Sequence, residues 1–251
     1  MITAETLRRV FARDRIFTTL LVLLAAAVFA RLGIWQLDRL AQRRAFNNHV
    51  LSMRDLPALD LNTTDGTDLL TQEYRRAVAE GIYDFANQIA VRNQYHEGQY
   101  GYRLLTPLIL GTDTAAVLVD RGWIPAEGNE SASAWGRYDV AGPLHVEGVL
   151  RLGTAGPIFG GQPSPTPNPS APRIDFWNQI DLEAIAAQAH LNLLAAYIQL
   201  DPGESSDELP IPSQPEIELT EGPHMGYAVQ WFTFAILLLV GYPLYLNRQR
   251  P

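Results

Sequence analysis

The chain of 251 residues contains no cysteine. Disulfides, thiolate metal sites, CxxC redox chemistry and covalent haem attachment through thioethers are therefore excluded. Lysine is also absent, so that arginine supplies all 19 basic residues, against 27 acidic ones. An acidic chain without a basic stripe argues against nucleic acid as a partner. The three methionines leave little for a methionine-rich copper carrier.

Motifs of common enzymes are missing as well. The sequence has no GxSxG, no GxGxxG that leads into a helix, no Walker loop and no HExxH. The five histidines are far apart in sequence, with no pair at a spacing typical of metal ligands. These absences predict a protein that is not an enzyme.

Long apolar runs are present near both ends of the chain. The first covers residues 16–37 and contains one charged residue, Arg31, while the second covers residues 224–246 and contains none. About 20 apolar residues cross a hydrocarbon core of ~30 Å. Tyrosine and tryptophan lie toward both ends of the second run, as in interfacial aromatic belts. We therefore predict two transmembrane helices in a lipid bilayer.

A cleaved signal peptide is the alternative for the first run. Its positive region would consist of Arg8, Arg9, Arg13 and Arg15, and residues 28–30 (Val-Phe-Ala) would be the cleavage site. The chain would then be an envelope enzyme or sensor.

Arginine positions orient the second run. Arg248 and Arg250 follow it, whereas acidic residues and no arginine come just before it, which places the C-terminus in the cytoplasm. With two spans the N-terminus is cytoplasmic too. The predicted order is cytoplasmic 1–15, transmembrane 16–37, extracytoplasmic 38–223, transmembrane 224–246 and cytoplasmic 247–251. The extracytoplasmic segment has 12 arginines and 25 acidic residues, for a net charge of −13.

Short segments rich in β-branched and aromatic residues alternate with Gly and Pro turns between the spans. We expect an α+β membrane protein, with an antiparallel sheet curled into a small barrel or sandwich and one short helix at 181–190. The predicted strands are 76–83, 88–93, 102–110, 116–124, 144–150 and 196–201. Residues 37–51 continue the first helix, either as part of it or along the membrane surface. Loops are predicted at 56–72, in the proline-rich 156–172 and at 202–220.

One histidine stands at the edge of a predicted span. His224 opens the second apolar run and shares a helical face with Tyr227 and Trp231. An imidazole above aromatic and small side chains, at the edge of hydrocarbon, suits a flat hydrophobic macrocycle whose iron binds the imidazole.

The end of the first span offers further candidates at a similar depth. Trp35 and Gln36 lie there, and Arg31 and Arg39 are available to pair with the propionates of such a macrocycle. The alternative is that these residues, and those around His224, are ordinary interfacial anchors.

Five segments carry a resemblance to a known family. They are Gly33-Ile34-Trp35-Gln36-Leu37-Asp38-Arg39, Gly81-Ile82-Tyr83-Asp84, Thr106-Pro107-Leu108, Val117–Pro125 and His224–Phe232. In this order they resemble the motifs of the Surfeit locus protein 1 family, the membrane-bound assembly factors of cytochrome c oxidase. Where asparagines commonly precede the span histidine in that family, this chain has Glu221-Gly222-Pro223.

The resemblance implies a bacterial assembly factor of the plasma (inner) membrane. It would hold haem a transiently, beside the haem a synthase, and support its insertion into the oxidase catalytic subunit. Some bacterial members are held to bind haem a through the span histidine, which corresponds to His224. The alternative is a scaffold that binds no haem and stabilises an oxidase assembly intermediate through its extracytoplasmic domain.

The segment Arg121-Gly122-Trp123 has two interpretations. Arg121 and Trp123, if exposed at a strand end, would dock an oxidase subunit, since both residue types are frequent interface anchors. Alternatively, Gly122 supplies a bulge and Trp123 packs across the barrel, which is the interpretation that we favour.

Overall fold

The computed structural model describes residues 10–64, 66–111, 115–154, 173–202, 208–212 and 217–248. The chain divides into two compact units, one made of residues 1–49 and 218–251 and the other of residues 50–217. In chain order the elements are α1 (Ile16–Asp55), β1 (Leu59–Asp60), β2 (Arg76–Tyr83), β3 (Ile89–His96), β4 (Gln99–Leu110), β5 (Ala115–Pro125), β6 (Leu144–Leu152), β7 (Phe176–Trp177), α2 (Leu182–Ala189), β8 (Asn192–Leu200) and α3 (His224–Arg248).

Two helices in the described part of the chain, α1 and α3, are long and apolar enough to cross a membrane. They flank the β domain in sequence, as predicted, and the protein is an α+β membrane protein. Helix α1 runs for 40 residues without a break, which confirms that residues 37–51 continue it. It ends just before Leu56 and Pro57, because the residue before a proline disfavours helical backbone. The membrane boundaries at residues 37 and 224 stay predictions.

Small and polar side chains line the buried side of the helix pair. On α1 five of the buried positions recur every seven residues, at Thr19, Ala26, Gly33, Leu40 and Asn47, and Gln36 is buried between two of them. On α3, Ala228 and Ala235 are buried at the same interval. A seven-residue repeat is the signature of left-handed helix packing, and small residues let the two backbones approach closely.

The six longer strands of the second unit match the six predicted ones, with β2 at the predicted bounds. They form a closed ring in the order β2-β6-β8-β5-β4, which returns to β2, while β3 extends the sheet beyond β4. The predicted small barrel is therefore present. Neighbours in the ring are antiparallel, except that β5 and β8 run parallel. The parallel pair is possible because the chain between β5 and β8 is long enough to return to the same end of the sheet.

The predicted short helix is α2. The carboxylate of Asp181 accepts a hydrogen bond from the backbone N–H of Ala184 at 3.1 Å and caps its first turn. His190 ends it in the left-handed conformation. Within the predicted loop 56–72 the structure adds β1 and a 3-10 helix, Gly66–Thr71. The proline-rich loop 156–172 lies outside the described residues.

Apolar side chains fill the barrel and a second layer beneath α2. Inside the ring the core includes Leu108, Val117, Val119, Leu150 and Ile198. The second cluster joins β3 and β5 to α2 through Ile89, Leu118, Trp177 and Ile185. Both strand faces of β5 are therefore buried, which gives that strand its near-continuous apolar sequence.

Candidate functional site

The first residue of α3 meets the middle of α1 through two polar side chains. Nδ1 of His224 lies 2.9 Å from Oε1 of Gln36. Gln36 is buried, with 9% of its surface exposed, and His224 is partly buried. An amide oxygen only accepts, so an imidazole with its proton on Nδ1 donates it to Gln36 at this contact. The structure thus brings two of the predicted site residues into direct contact.

The second ring nitrogen of His224, Nε2, carries the free lone pair in this arrangement. Within the part of the chain that the structure describes, Nε2 has no hydrogen-bond partner. Gly222 passes beside this edge of the ring with a φ of +66°. A Cβ at that position would lie 3.5 Å from Cδ2 and 3.7 Å from Nε2. Both distances are ordinary van der Waals contacts, so Gly222 lies close beside the nitrogen that is able to bind a metal ion.

Side chains of α1 hold the segment that leads into His224. Arg43 donates to the carbonyl oxygens of Thr220, at 3.0 Å, and of Glu218. One turn further, Nδ2 of Asn47 donates to the carbonyl oxygen of Leu219 at 2.7 Å. These side-chain hydrogen bonds satisfy backbone carbonyls that no strand or helix serves. They fix where α3 begins and therefore where the imidazole lies.

An ion pair adds to this attachment. Nε and Nη2 of Arg44 contact the two carboxylate oxygens of Glu221 at 2.7 and 2.9 Å. The shared hydrogen bonds and the charge of Arg44 lower the pKa of the Glu221 carboxyl. Both side chains are half exposed, so the pair contributes orientation more than stability.

A cavity of about 490 Å³ adjoins the imidazole within the helical unit. Besides His224 its walls include Arg39, Arg43 and Phe46 of α1, together with Glu218 and residues 220–223. Arg39 is exposed, and its Nη1 donates to Oε1 of Gln42 at 2.9 Å. Arg39 and Arg43 contribute two positive charges to the lining, and Glu218 and Glu221 contribute two negative ones. A carboxylate in this cavity would pair with the guanidinium groups.

The aromatic residues of the predicted site lie in different surroundings. Trp231 is partly buried, and its ring stacks on that of Phe29 at 5.6 Å between centroids. Trp35 and Tyr227 are 46% and 47% exposed. Whether these rings contact a ligand stays a prediction.

Comparison with known proteins fits this two-helix arrangement. The model of the SURF1 family matches residues 23–236, which is most of the chain and includes both Gln36 and His224. The chain belongs to the SURF1 family. The resemblance to the Surfeit locus protein 1 family is confirmed. Membership of this family supports, at the level of the family, a role in cytochrome c oxidase assembly.

Individual relatives of this SURF1-family chain come from distant organisms. It is 25% identical to Surfeit locus protein 1 of Xenopus tropicalis, over 88% of this chain and 73% of the relative. It is 24% identical to a SURF1-like protein of Rickettsia felis, over 91% of this chain and 96% of the relative. A SURF1-like protein of Mycobacterium bovis is 26% identical, over 85% of this chain and 76% of the relative.

The segment Arg121-Gly122-Trp123 of this SURF1-family chain lies inside the β domain. Arg121 and Trp123 are both 5% exposed, so the interpretation that they form an exposed docking site is wrong. The bulge of the favoured interpretation is confirmed, because the pairing of β4 with β5 shifts register at this point. Trp123 is buried, with its ring 5.2 Å from that of His96, and its packing across the barrel stays a prediction. Gly122 has a φ of +123°, and a Cβ there would lie 2.2 Å from the carbonyl oxygen of Ile211.

The guanidinium of Arg121 has a polar and aromatic environment. Nη1 donates to Oε1 of Gln88 at 2.9 Å, and Nη2 donates to the carbonyl oxygen of Tyr138. The rings of Tyr83 and Phe85 lie 5.2 and 5.1 Å from its central carbon. Burial lowers the pKa of Arg121, since a charged group loses hydration there. This arrangement is that of a structural residue.

Sequence reasoning missed Asn47 and the role of Arg43 and Arg44. Their partners are about 175 positions away in the chain, and nothing local identifies such partners. The sequence contains one pattern that indicates a packed position at Asn47. This residue continues the seven-residue repeat of Ala26, Gly33 and Leu40 beyond the apolar run.

Proposed function

We propose that this chain is a haem a carrier of cytochrome c oxidase assembly, with His224 as the iron ligand through Nε2. The observation that supports this most directly is the hydrogen bond from Nδ1 of His224 to Gln36, which leaves Nε2 with a lone pair and, among the described residues, without a hydrogen-bond partner. A metal-ligating histidine commonly donates its other N–H in this way.

The residues present suit the group. Haem a supplies an iron that takes a neutral imidazole and a hydrophobic ring that carries carboxylates. His224 offers one nitrogen donor at the start of an apolar helix, and Arg39 and Arg43 border the adjoining cavity, where they would pair with the carboxylates. Trp35 in the middle of α1 and Tyr227 and Trp231 near the start of α3 are the aromatic residues proposed to contact the ring.

In this proposal the protein binds haem a and releases it, without making or breaking a covalent bond. We place the protein in the bacterial plasma membrane, with both termini in the cytoplasm and the β domain outside, on the strength of Arg248 and Arg250 behind α3. The haem a synthase and the oxidase catalytic subunit are the proposed donor and acceptor.

The test is an absorption spectrum of the purified full chain. The protein is co-expressed with a haem a biosynthesis pathway, extracted in mild detergent and compared with His224→Ala and His49→Ala. His49 is an exposed histidine of the same helical unit and serves as the matched control. We expect a haem a spectrum in the wild type and in His49→Ala, and its loss in His224→Ala.

Two results would reject the proposal. Colourless wild-type protein from membranes rich in haem a would favour a scaffold that binds no haem. Retention of the full spectrum in His224→Ala would show that the iron ligand is another residue.

A further inference from the structure

Oε1 of Gln36 faces Nδ1 of His224 at 2.9 Å. Gln36 belongs to α1 and His224 to α3, so this hydrogen bond joins the two helices. The amide is buried, so water competes little for it. The tautomer of His224 therefore depends on a residue 188 positions away in sequence.

A neutral imidazole has one N–H and one lone pair. The lone pair binds a metal, and the N–H must find an acceptor elsewhere. An acceptor at Nδ1 leaves Nε2 as the only possible ligand atom. A donor facing Nδ1 would have the opposite effect, because Nε2 would then carry the proton and would be unable to bind iron.

The chemical type of the acceptor affects the strength of the iron bond. A carboxylate partner strengthens the donor power of a ligating histidine, because it draws the shared proton and leaves more electron density on the ring. The carbonyl oxygen of Gln36 carries no net charge, so this increase is smaller. A carrier that has to release its ligand benefits from the weaker bond.

We propose that Gln36 is a positioning residue, which selects the Nδ1–H tautomer of His224 and keeps the imidazole a moderate, reversible iron ligand at Nε2. The part that concerns iron rests on the proposed function. The part that concerns the tautomer applies to the metal-free protein and is measured without haem.

The first experiment is ¹⁵N NMR of the metal-free full chain in detergent, labelled at histidine. The spectrum is recorded at about pH 8, where a histidine of ordinary pKa is neutral. Comparison with His224→Ala assigns the signals of His224. We expect the Nδ1–H pattern in the wild type, a shift toward Nε2–H in Gln36→Leu, and the Nδ1–H pattern again in Gln36→Glu, which restores an acceptor.

The second experiment uses the haem-loaded protein. We expect Gln36→Leu to lose haem roughly 10-fold faster than the wild type, in the range found when a histidine's outer partner is removed. Gln36→Glu should lose haem more slowly and lower the midpoint potential of the iron. Gln230→Leu, at an exposed glutamine of α3, is the matched control and should match the wild type in both measurements.

The outcomes separate this inference from the proposed function. An Nε2–H pattern in the wild type, or one that Gln36→Leu leaves unchanged, overturns the role of Gln36 even if haem is bound. Equal haem loss and potential in wild type, Gln36→Leu and Gln36→Glu overturn it as well. A colourless wild type rejects the proposed function, and the NMR pattern alone then decides whether Gln36 sets the tautomer.

Discussion

Gly33 of α1 lies directly against the ring of Phe232 on α3. A Cβ at Gly33 would come within 2.8 Å of two ring carbons, Cε1 and Cζ, which is closer than carbon atoms approach without a shift. Gln36 is one helical turn from Gly33, and Phe232 is two turns from His224. The close approach at Gly33 therefore sets the helix separation on which the contact between Gln36 and His224 depends.

We expect Gly33→Leu to separate the helices and to weaken the contact between Gln36 and His224. Forcing a side chain into a packed interface costs about 1–3 kcal/mol. Thermal unfolding in detergent and the rate of haem loss are the measurements. Gly241→Leu is the matched control, because a Cβ at Gly241 of α3 would meet nothing within 4 Å. Equal effects of the two substitutions would show that helix separation at Gly33 is unimportant.

Asn47→Ala removes the hydrogen bond that holds the carbonyl oxygen of Leu219. A hydrogen bond of this kind contributes about 1 kcal/mol, so we expect roughly fivefold faster loss of haem as His224 becomes less well placed. The neighbouring Asn48 is exposed, and Asn48→Ala is the matched control. A normal rate of haem loss in Asn47→Ala would mean that the segment before α3 is held in place without this hydrogen bond.

Burial raises the pKa of Tyr83 in the β domain to about 12. An unfolded tyrosine titrates near pH 10, so above that pH the unfolded chain loses a proton that the folded chain keeps. The stability contributed by the neutral phenol is therefore present below pH 10 and falls as the pH rises toward 12. The wild type should lose about 1 kcal/mol more than Tyr83→Phe between pH 9 and 11.

Denaturant unfolding of the full chain in detergent at several pH values measures this difference. Tyr95→Phe, at a tyrosine that is 70% exposed, serves as the control. If the wild type and Tyr83→Phe lose stability in parallel, then the phenol of Tyr83 is not shielded from solvent.

Arg121→Ala is expected to destabilise the β domain by about 3 kcal/mol or more, since it removes two hydrogen bonds from a charged donor and empties a buried site. Arg121→Lys should not rescue it, because an ammonium lacks the planar fork and stacks less well between aromatic rings.

Thermal unfolding and protease resistance measure this effect. Arg76→Ala, at an exposed ion pair with Glu147, is the control and should have little effect. An Arg121→Ala variant as stable and as protease-resistant as the wild type would show that the buried guanidinium contributes little to the stability of the β domain.

Local sequence was enough for most elements of the fold. The bounds of β2, the continuous helix through residue 51 and the cap at Asp181 all follow from hydrophobic pattern, turn residues and capping chemistry, which act over a few neighbouring residues. The parallel pairing of β5 with β8 did not follow in this way. Which strands pair depends on how distant segments of the chain pack, and the sequence of one strand does not specify which strand lies beside it.

The sequence by itself determined that His224 stands at the start of an apolar helix and that Gln36 lies near the end of another apolar run. Only the tertiary structure decided that Nδ1 of His224 faces the amide oxygen of Gln36, that Gly222 lies close to Nε2, and that Arg121 and Trp123 are buried. The physical reason is the distance along the chain over which each interaction acts. The apolar periodicity of a helix involves residues in adjacent turns of the same helix. A hydrogen bond between two helices depends instead on the separation and rotation of the helices. Packing of residues such as Gly33 against Phe232 sets both.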